Sequence, residues 1–574
     1  MRFHPLPALI LLISLAFLSS PCRATSAEQT HADLILDNAF IYTMDGARSI
    51  AQCIAIANGK ILFVGSNAGA ASFAGPMTRI VDLSGKMVLP GFHDCHAHPA
   101  TSYLEQQGCD LADLETKEQI FKTISTYVQE HPEKKWITGG GWQSPIFPEA
   151  APNKEDLDRL VPDRPAMLSS QDGHSVWLNS AALKAAGINA DTPEPLNGRI
   201  ERKENSNEPT GTLREAAIKL AKAVAPKASQ ADYREAALAA QSEFNKFGIV
   251  SVQDACVDEP LLKAYADLDD NNLLTMRVQA SLLVEPGDAD ARVEEIKKWR
   301  AKYNGNLLKG NSVKLFCDGV IETKTAAWLE PYISDKRAPS TSGILNFPQN
   351  VLNAIVTRFD AEGFQVHIHA IGDAAIRSAL DAHNEAQTAN GWRDRRHHIA
   401  HLQLIHPQDL PRFRDMNIIA NYQPFWAFRD KYISEQTEPQ LGPVRSRRLY
   451  QIGSMFASGA LVVAGSDWNV TTQNPLDAIQ VAVTRCGLDK PATTVMMPDE
   501  RVSLPQILAA YTINGAFLAR NEKETGSLEV GKSADIIVLD RNLFSIPAAQ
   551  IHKTKVLLTL FRGREVYREP NYTN

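Results

Sequence analysis

The stretch Pro90-Gly91-Phe92-His93-Asp94-Cys95-His96-Ala97-His98 closes a short apolar run with two histidines placed two residues apart. Side chains at i and i+2 of a β-strand leave the same face, so His96 and His98 aim both imidazoles at one point. Paired imidazoles suit a transition metal. Taken alone, an H-x-H pair is also what two ordinary polar residues at a strand end look like. Its meaning depends on whether the rest of the chain brings further ligands to the same place. Cys95 lies between them on the opposite face and reads as a buried structural thiol.

Working outward, short β-like runs alternate with helical ones, the pattern of a parallel sheet. The expected strands are 92–98, 249–255, 277–284, 313–319, 365–370, 398–404, 418–424 and 461–467. Eight such units predict an α/β fold, a (β/α)8 TIM-like barrel, whose active site would sit at the C-terminal ends of its strands. The first interval is too long for one βα unit, since roughly 150 residues separate His98 from Ile249. An insertion over about 100–235 is expected there. It carries Trp136 to Trp142 with three successive glycines, then His174, then Pro209-Thr210-Gly211-Thr212-Leu213-Arg214-Glu215. Rooted at the catalytic end, it reads as a lid or substrate-binding element.

Alternating strand patterns before the barrel, at 33–45 and 51–65, return after it at 526–532, 534–539 and 555–557. Both chain ends are therefore expected to build one small β-sandwich, from 28–89 and 521–574, around a barrel spanning 90–520. Residues 1–27 have a secretory layout: Arg2, an apolar run from Leu6 to Leu18, then small residues around Ser19, Ser20, Ala24 and Ala27. Export to the periplasm or the extracellular space is the expectation, with lipidation at Cys22 a weaker alternative. No later segment is long and apolar enough to span a membrane.

The formal charge of −7, from 59 basic and 66 acidic residues, supplies no basic footprint for nucleic acid. A small-molecule substrate fits better. The seven cysteines show neither C-x-x-C spacing nor a disulfide framework. Oligomeric state is not fixed by the sequence; a homodimer stands as one option.

Four of the other expected strands end in a residue able to join His96 and His98. They are Lys314 in Val313-Lys314-Leu315-Phe316-Cys317-Asp318-Gly319, His369 in His367-Ile368-His369-Ala370-Ile371-Gly372-Asp373, His401 in His398-Ile399-Ala400-His401, and Asp467 in Gly465-Ser466-Asp467. With these motifs, and the closing run from Gly526-Ser527-Leu528 to Ile537-Val538-Leu539-Asp540, the chain resembles the amidohydrolase superfamily and more closely its YtcJ-like branch, amidohydrolase family 3. The resemblance covers nearly everything after the leader.

The resemblance implies metal ligands at His96, His98, His369, His401 and Asp467, with Asp467 also moving protons as general base and then acid. One or two divalent ions, zinc by expectation, would lower the pKa of a water and polarise a carbonyl. Lys314 is less direct, because an ammonium has no lone pair for a cation. Carbamylated by carbon dioxide after losing its proton, it would bridge two metals; unmodified, it points to a one-metal site or a structural salt bridge. Both readings stay open.

His174 is a candidate for contacting substrate or stabilising an oxyanion, and equally a loop histidine. Trp142 and Asp318 are substrate-pocket candidates that, like Glu215, also suit core packing or helix capping. His367 shares parity with His369, yet the motif assigns the ligand to the histidine just before Ala370-Ile371-Gly372-Asp373, so His367 is expected to pack behind it. Asp373 reads as a helix cap, and His93 and His397 are not expected ligands. Departures from the family pattern fall at Ala400, at Trp468-Asn469 and along Val320-Ile321-Glu322-Thr323-Lys324; they leave every ligand in place but weaken any transferred substrate specificity.

The function expected is an exported metal-dependent amidohydrolase acting on a non-peptide C–N bond. An esterase or lactonase using the same site is the alternative, and a non-catalytic binding barrel the less favoured one, since a pure binder has no need of the whole ligand set.

Overall fold

A computed structural model describes Met1 and residues 31–285, 289–333, 341–489 and 495–573. The expected leader, with Cys22, lies outside the described residues apart from Met1. Eight parallel strands form one sheet in chain order: β1 (Phe92–Ala97), β2 (Ile249–Val257), β3 (Arg277–Leu283), β4 (Leu308–Phe316), β5 (Gln365–Ala370), β6 (His398–His401), β7 (Ile419–Tyr422) and β8 (Val462–Ala464). The sheet curls until its edges meet. Asp467 N donates to His96 O at 2.7 Å, and His98 N donates to Trp468 O at 2.9 Å. Gly465 permits this approach, because a Cβ there would lie 2.5 Å from the His96 nitrogen.

Alternation along β5 shows how the strands divide their side chains. Val366, Ile368 and Ala370 join the main apolar core under the helices, while Gln365, His367 and His369 turn into the barrel. The interior beneath the site is polar rather than filled by branched aliphatics. Gln253 Nε2 lies within 3.0–3.2 Å of Ser281 Oγ, Ser312 Oγ, Gln365 Oε1 and His398 Nε2. Buried polar groups that satisfy one another rigidify their surroundings.

The chain ends make a four-stranded and a six-stranded sheet. In the latter, Ile536–Leu539 from the C-terminal end pairs antiparallel with Met87–Pro90 from the N-terminal end. Successive residues face opposite layers: Val88, Ile536 and Val538 pack between the two sheets, whereas Met87, Leu89, Ile537 and Leu539 pack against the barrel. Each such side chain contributes roughly 1.5–3 kcal/mol by burial, and the Arg277 to Asp535 pair, at 2.5 Å, ties β3 to this layer. The run 526–532 is not a regular strand; it joins the layer through single bonds, Leu528 N to Thr43 O and Gly531 N to Ile61 O.

Between β1 and β2 the chain folds into a six-stranded mixed sheet with two apolar cores of its own. This is a built layer, not a loop. Its triple glycine enables close strand approach, since a Cβ on Gly139 would fall 2.3 Å from Cys109 O. The hairpin between Ala166–Ser170 and Ser175–Leu178 carries His174 toward the barrel mouth. Among the described residues no helix is long and apolar enough to cross a membrane.

Candidate metal centre

His96 is the last inward residue of β1, and His98 follows as the residue capping helix Pro99–Gln106. Across the closing seam, one carboxylate meets both. Asp467 Oδ1 lies 3.5 Å from His96 Nε2 and 3.2 Å from His98 Nε2, and Asp467 Oδ2 lies 3.8 Å from His401 Nδ1. The possible ligand atoms of His96, His98 and Asp467 fall within 4.8 Å of one another. Asp94 supports the seam from below, accepting from His96 N at 3.2 Å and Ser466 N at 3.0 Å.

His401 reaches the site by a backbone exception. His398 points inward, with its ring 4.0 Å from that of His367, so strict alternation would turn His401 outward three residues later. Left-handed backbone at His401 (φ 78°) and Leu402 (φ 52°) brings the imidazole round to Asp467 instead. That conformation costs roughly 1–2 kcal/mol per non-glycine residue, and local strain of this kind concentrates at functional sites.

The protonation states suit a cation. Burial, then the nearby Lys314 charge, holds His96 well below the ordinary imidazole value. Burial takes His401 down to about 3 despite the Asp467 charge. Burial opposes ionisation of Asp467, yet the His98 imidazole 3.2 Å away and the charges of His401 and Lys314 leave its pKa lowered. Neutral imidazoles around an anionic carboxylate are what metal binding requires. His401 Nδ1 and Asp467 Oδ1 are also buried without a hydrogen bond of acceptable geometry. Buried polar atoms rarely stay unsatisfied, and a divalent metal is a group that would satisfy both.

Lys314 is fully buried, its Nζ 3.4 Å from His96 Nε2 and 4.7 Å from the centre of the Phe316 ring. Among the described residues no carboxylate comes within ion-pair distance of it, so the salt-bridge reading finds no partner. Burial pulls it down to about 8 against the Asp467 charge. His369 stands beside His401, ring centres 4.4 Å apart, with Nε2 turned to Gly319 O at 3.3 Å and Asp318 Oδ1 at 3.5 Å.

His174 and Glu215 face each other across paired strands, His174 Nδ1 lying 2.9 Å from Glu215 Oε2. Burial works against a charged His174, but the Glu215 charge and hydrogen bond outweigh it and raise the imidazole to about 9. Its ring lies 5.4 Å from that of His369. Thr325 Oγ1 donates to Glu215 Oε1 at 2.7 Å, linking the insertion to the loop after β4.

Two of the pocket candidates are placed elsewhere. Trp142 is sealed in an insertion core with no exposed surface, its Nε1 donating to Leu168 O at 2.9 Å, so the expected substrate contact is corrected to a packing role. Asp318 is likewise buried and accepts from Ala327 N, Ile371 N and Gly372 N at 2.9–3.0 Å, which makes it a clamp between the loops after β4 and β5 rather than a substrate contact. Asp373 does not cap its helix; Gly372 stands at that position, and Asp373 accepts from Leu329 N instead. His397 bonds Asp360 and Val366 away from the centre. Sequence reasoning missed Asp94, although its i−2 spacing from His96 put it on the same face, and Ser281, which carries no such signal.

Comparison with known proteins finds relatives along most of the chain. The model of the amidohydrolase family matches residues 79–567. Protein LONG AFTER FAR-RED 3 of Arabidopsis thaliana is 32% identical, over 98% of this chain and 97% of its own length. An N-substituted formamide deformylase of Arthrobacter pascens is 28% identical, over 92% of this chain and 97% of its own. A solved structure of an uncharacterised metal-dependent hydrolase from Pyrococcus furiosus superposes with a TM-score of 0.68 at 26% identity, covering 89% of this chain and 99% of that one.

Proposed function

The chain belongs to the amidohydrolase family and is a metal-dependent hydrolase, and from that premise we propose that it cleaves a non-peptide C–N bond of amide type in a small molecule. The observation that carries this reading is the Asp467 carboxylate set among three imidazoles, those of His96, His98 and His401, at the C-terminal mouth of the barrel. The relative from Arthrobacter pascens, named for removing a formyl group from N-substituted formamides, supports the bond type.

His96, His98, His401 and Asp467 would hold the metal, zinc by the match of imidazole and carboxylate ligands, with His369 at the edge of the group. When bound, such an ion acidifies water and polarises a carbonyl. Asp467 is placed to accept the proton of the attacking water and to return it to the departing nitrogen. His174, kept protonated by Glu215, has Nε2 left to donate to the oxygen that becomes negative as the carbonyl carbon turns tetrahedral. Lys314, buried beside His96, would as a carbamate add carboxylate oxygens to the ligands that hold the metal. The sequence of residues 1–27 supports export of the mature protein.

The test is to purify the mature chain, measure bound metal, and assay a panel of N-formyl and N-acyl amines, cyclic amides, esters and lactones with and without chelator. Amide turnover lost with the metal supports the reading; turnover of esters alone would replace it with an esterase, and no turnover by metal-loaded protein would refute it. Intact Asp467→Asn turnover would remove the proton-transfer role.

A further inference from the structure

Next to the metal centre, the insertion hairpin and the loops after β4 to β8 enclose a cavity of about 110 Å³. Its walls continue directly from the candidate ligands. Gln403 follows His401 by two residues, Ile371 follows His369 by two, and Trp426 stacks on the His401 ring at 5.4 Å with 3° between the planes. Anything held there lies within a few atoms of the reacting position.

The lining has an unusual composition. Phe425, Trp426 and Phe428, from the loop after β7, supply aromatic surface, while Asp172, Glu322 and Asp430 supply three carboxyl groups from three different loops. No basic residue lines the cavity, and among the described residues none of the three acids forms an ion pair. Asp172 accepts from Ser170 Oγ and His174 N, and Asp430 accepts from Ile433 N. The Glu322 carboxylate bonds to no other described residue. Burial, then the charges of Asp172 and Asp430, pushes Glu322 up to about 7 against the opposing charge of His174.

Two further side chains point independently to a missing ligand. Gln403 and Tyr450 both line the cavity, are only 6% and 3% exposed, and among the described residues make no hydrogen bond through the amide or the hydroxyl. Side chains this deeply placed usually find a hydrogen-bond partner, and these two open onto the cavity.

We propose that this cavity receives a compact organic cation, an ammonium group carried by the substrate a short distance from its scissile C–N bond. The carboxylates supply opposite charge and hydrogen-bond acceptors, the aromatic faces add cation–π attraction, and Gln403 and Tyr450 accept the remaining N–H bonds. A bare divalent ion fits less well, because it takes six or more oxygens and no aromatic surface. This rests on the hydrolase reading above and narrows it to amides that bear a cationic arm.

The test separates the two readings. Calorimetric titration of the metal-loaded full chain with n-butylammonium and with n-butanol measures binding without chemistry; kcat/KM is then compared for N-formyl-1,4-diaminobutane and N-formylbutylamine. The expected results are cation binding with none of the alcohol, a preference of about tenfold or more for the charged amide, and loss of both in Glu322→Gln and in Asp430→Asn. Equal binding of the two probes, or equal turnover of the two amides by the wild type, overturns the cation pocket whether or not the variants fold. Binding of butylammonium without turnover of either amide or of any compound in the panel above would sustain the pocket and refute the hydrolase reading, whereas turnover of both without cation binding would do the reverse.

Discussion

His367 Nε2 lies 3.0 Å from His96 Nδ1, and this contact commits the other nitrogen of His96, Nε2, to the side where Asp467 and Lys314 wait. The remaining nitrogen of His367 is fixed in turn by Ser281 Oγ at 3.1 Å. A chain from β3 through β5 to β1 therefore sets the ring orientation of a metal ligand from beneath. Such supporting bonds choose the tautomer of the ligand as well as its direction.

Replacing His367 by Ala should consequently weaken metal binding by roughly 10- to 100-fold while the fold persists. Chelator competition on protein of verified circular dichroism measures it. Affinity equal to that of the wild type would mean that β1 alone orients His96.

The barrel was readable because its strands are short apolar or β-branched runs at regular spacing, and the ligands of β1 and β5 obey simple alternation, as His96 and His369 do. His401 does not; it stands at an expected strand end, but its orientation depends on a left-handed turn that no alternation rule predicts. The insertion's sheet has no clear sequence signal, because Gly139, Gly140 and Gly141 carry no strand propensity and the sheet exists through tertiary pairing with Cys109–Asp110 and Ala166–Ser170. Trp142 misled for a related reason, since an indole suits a core and a pocket equally. Glu215 could be tied to His174 only through the register that sets Ser175 opposite Arg214.

The His174 to Glu215 pair predicts a pH dependence with a definite sign. The imidazole is raised from 6.5 to about 9 in the folded chain, so its contribution to stability is complete below the ordinary value and is lost as pH rises through about 9. Thermal melts of the wild type should therefore fall between those limits, and Glu215→Gln should flatten that fall. The basic limb of kcat/KM should also move to lower pH in the variant if His174 acts as a cation. Superimposable pH profiles would remove the charged histidine from the account.

Trp142→Phe tests packing against substrate contact. Loss of the indole bond to Leu168 O costs roughly 0.5–1.5 kcal/mol, and the melting temperature should drop accordingly. KM should stay within about twofold of the wild type. A large rise in KM at unchanged stability would restore Trp142 to the substrate pocket.

Lys314 decides how many ions the centre holds. It is buried, lacks an ion-pair partner among the described residues, and is pulled down to about 8, so its neutral amine is accessible near neutral pH. A neutral amine is the form that attacks carbon dioxide, and the product replaces a cation that repels metal with an anion offering two oxygens. The wild type purified with bicarbonate should thus carry two metals per chain and a carbamate carbon resonance when labelled with carbon-13, and Lys314→Ala should lose the resonance and at least one metal. Lys314→Glu, which returns a carboxylate to the same place, should recover part of the second metal. One metal per chain in both the wild type and Lys314→Ala would leave His96, His98, His401 and Asp467 as the ligands of a single ion, with the lysine amine serving only to hold His96 neutral, and two metals retained in Lys314→Ala would remove the carbamate from the account.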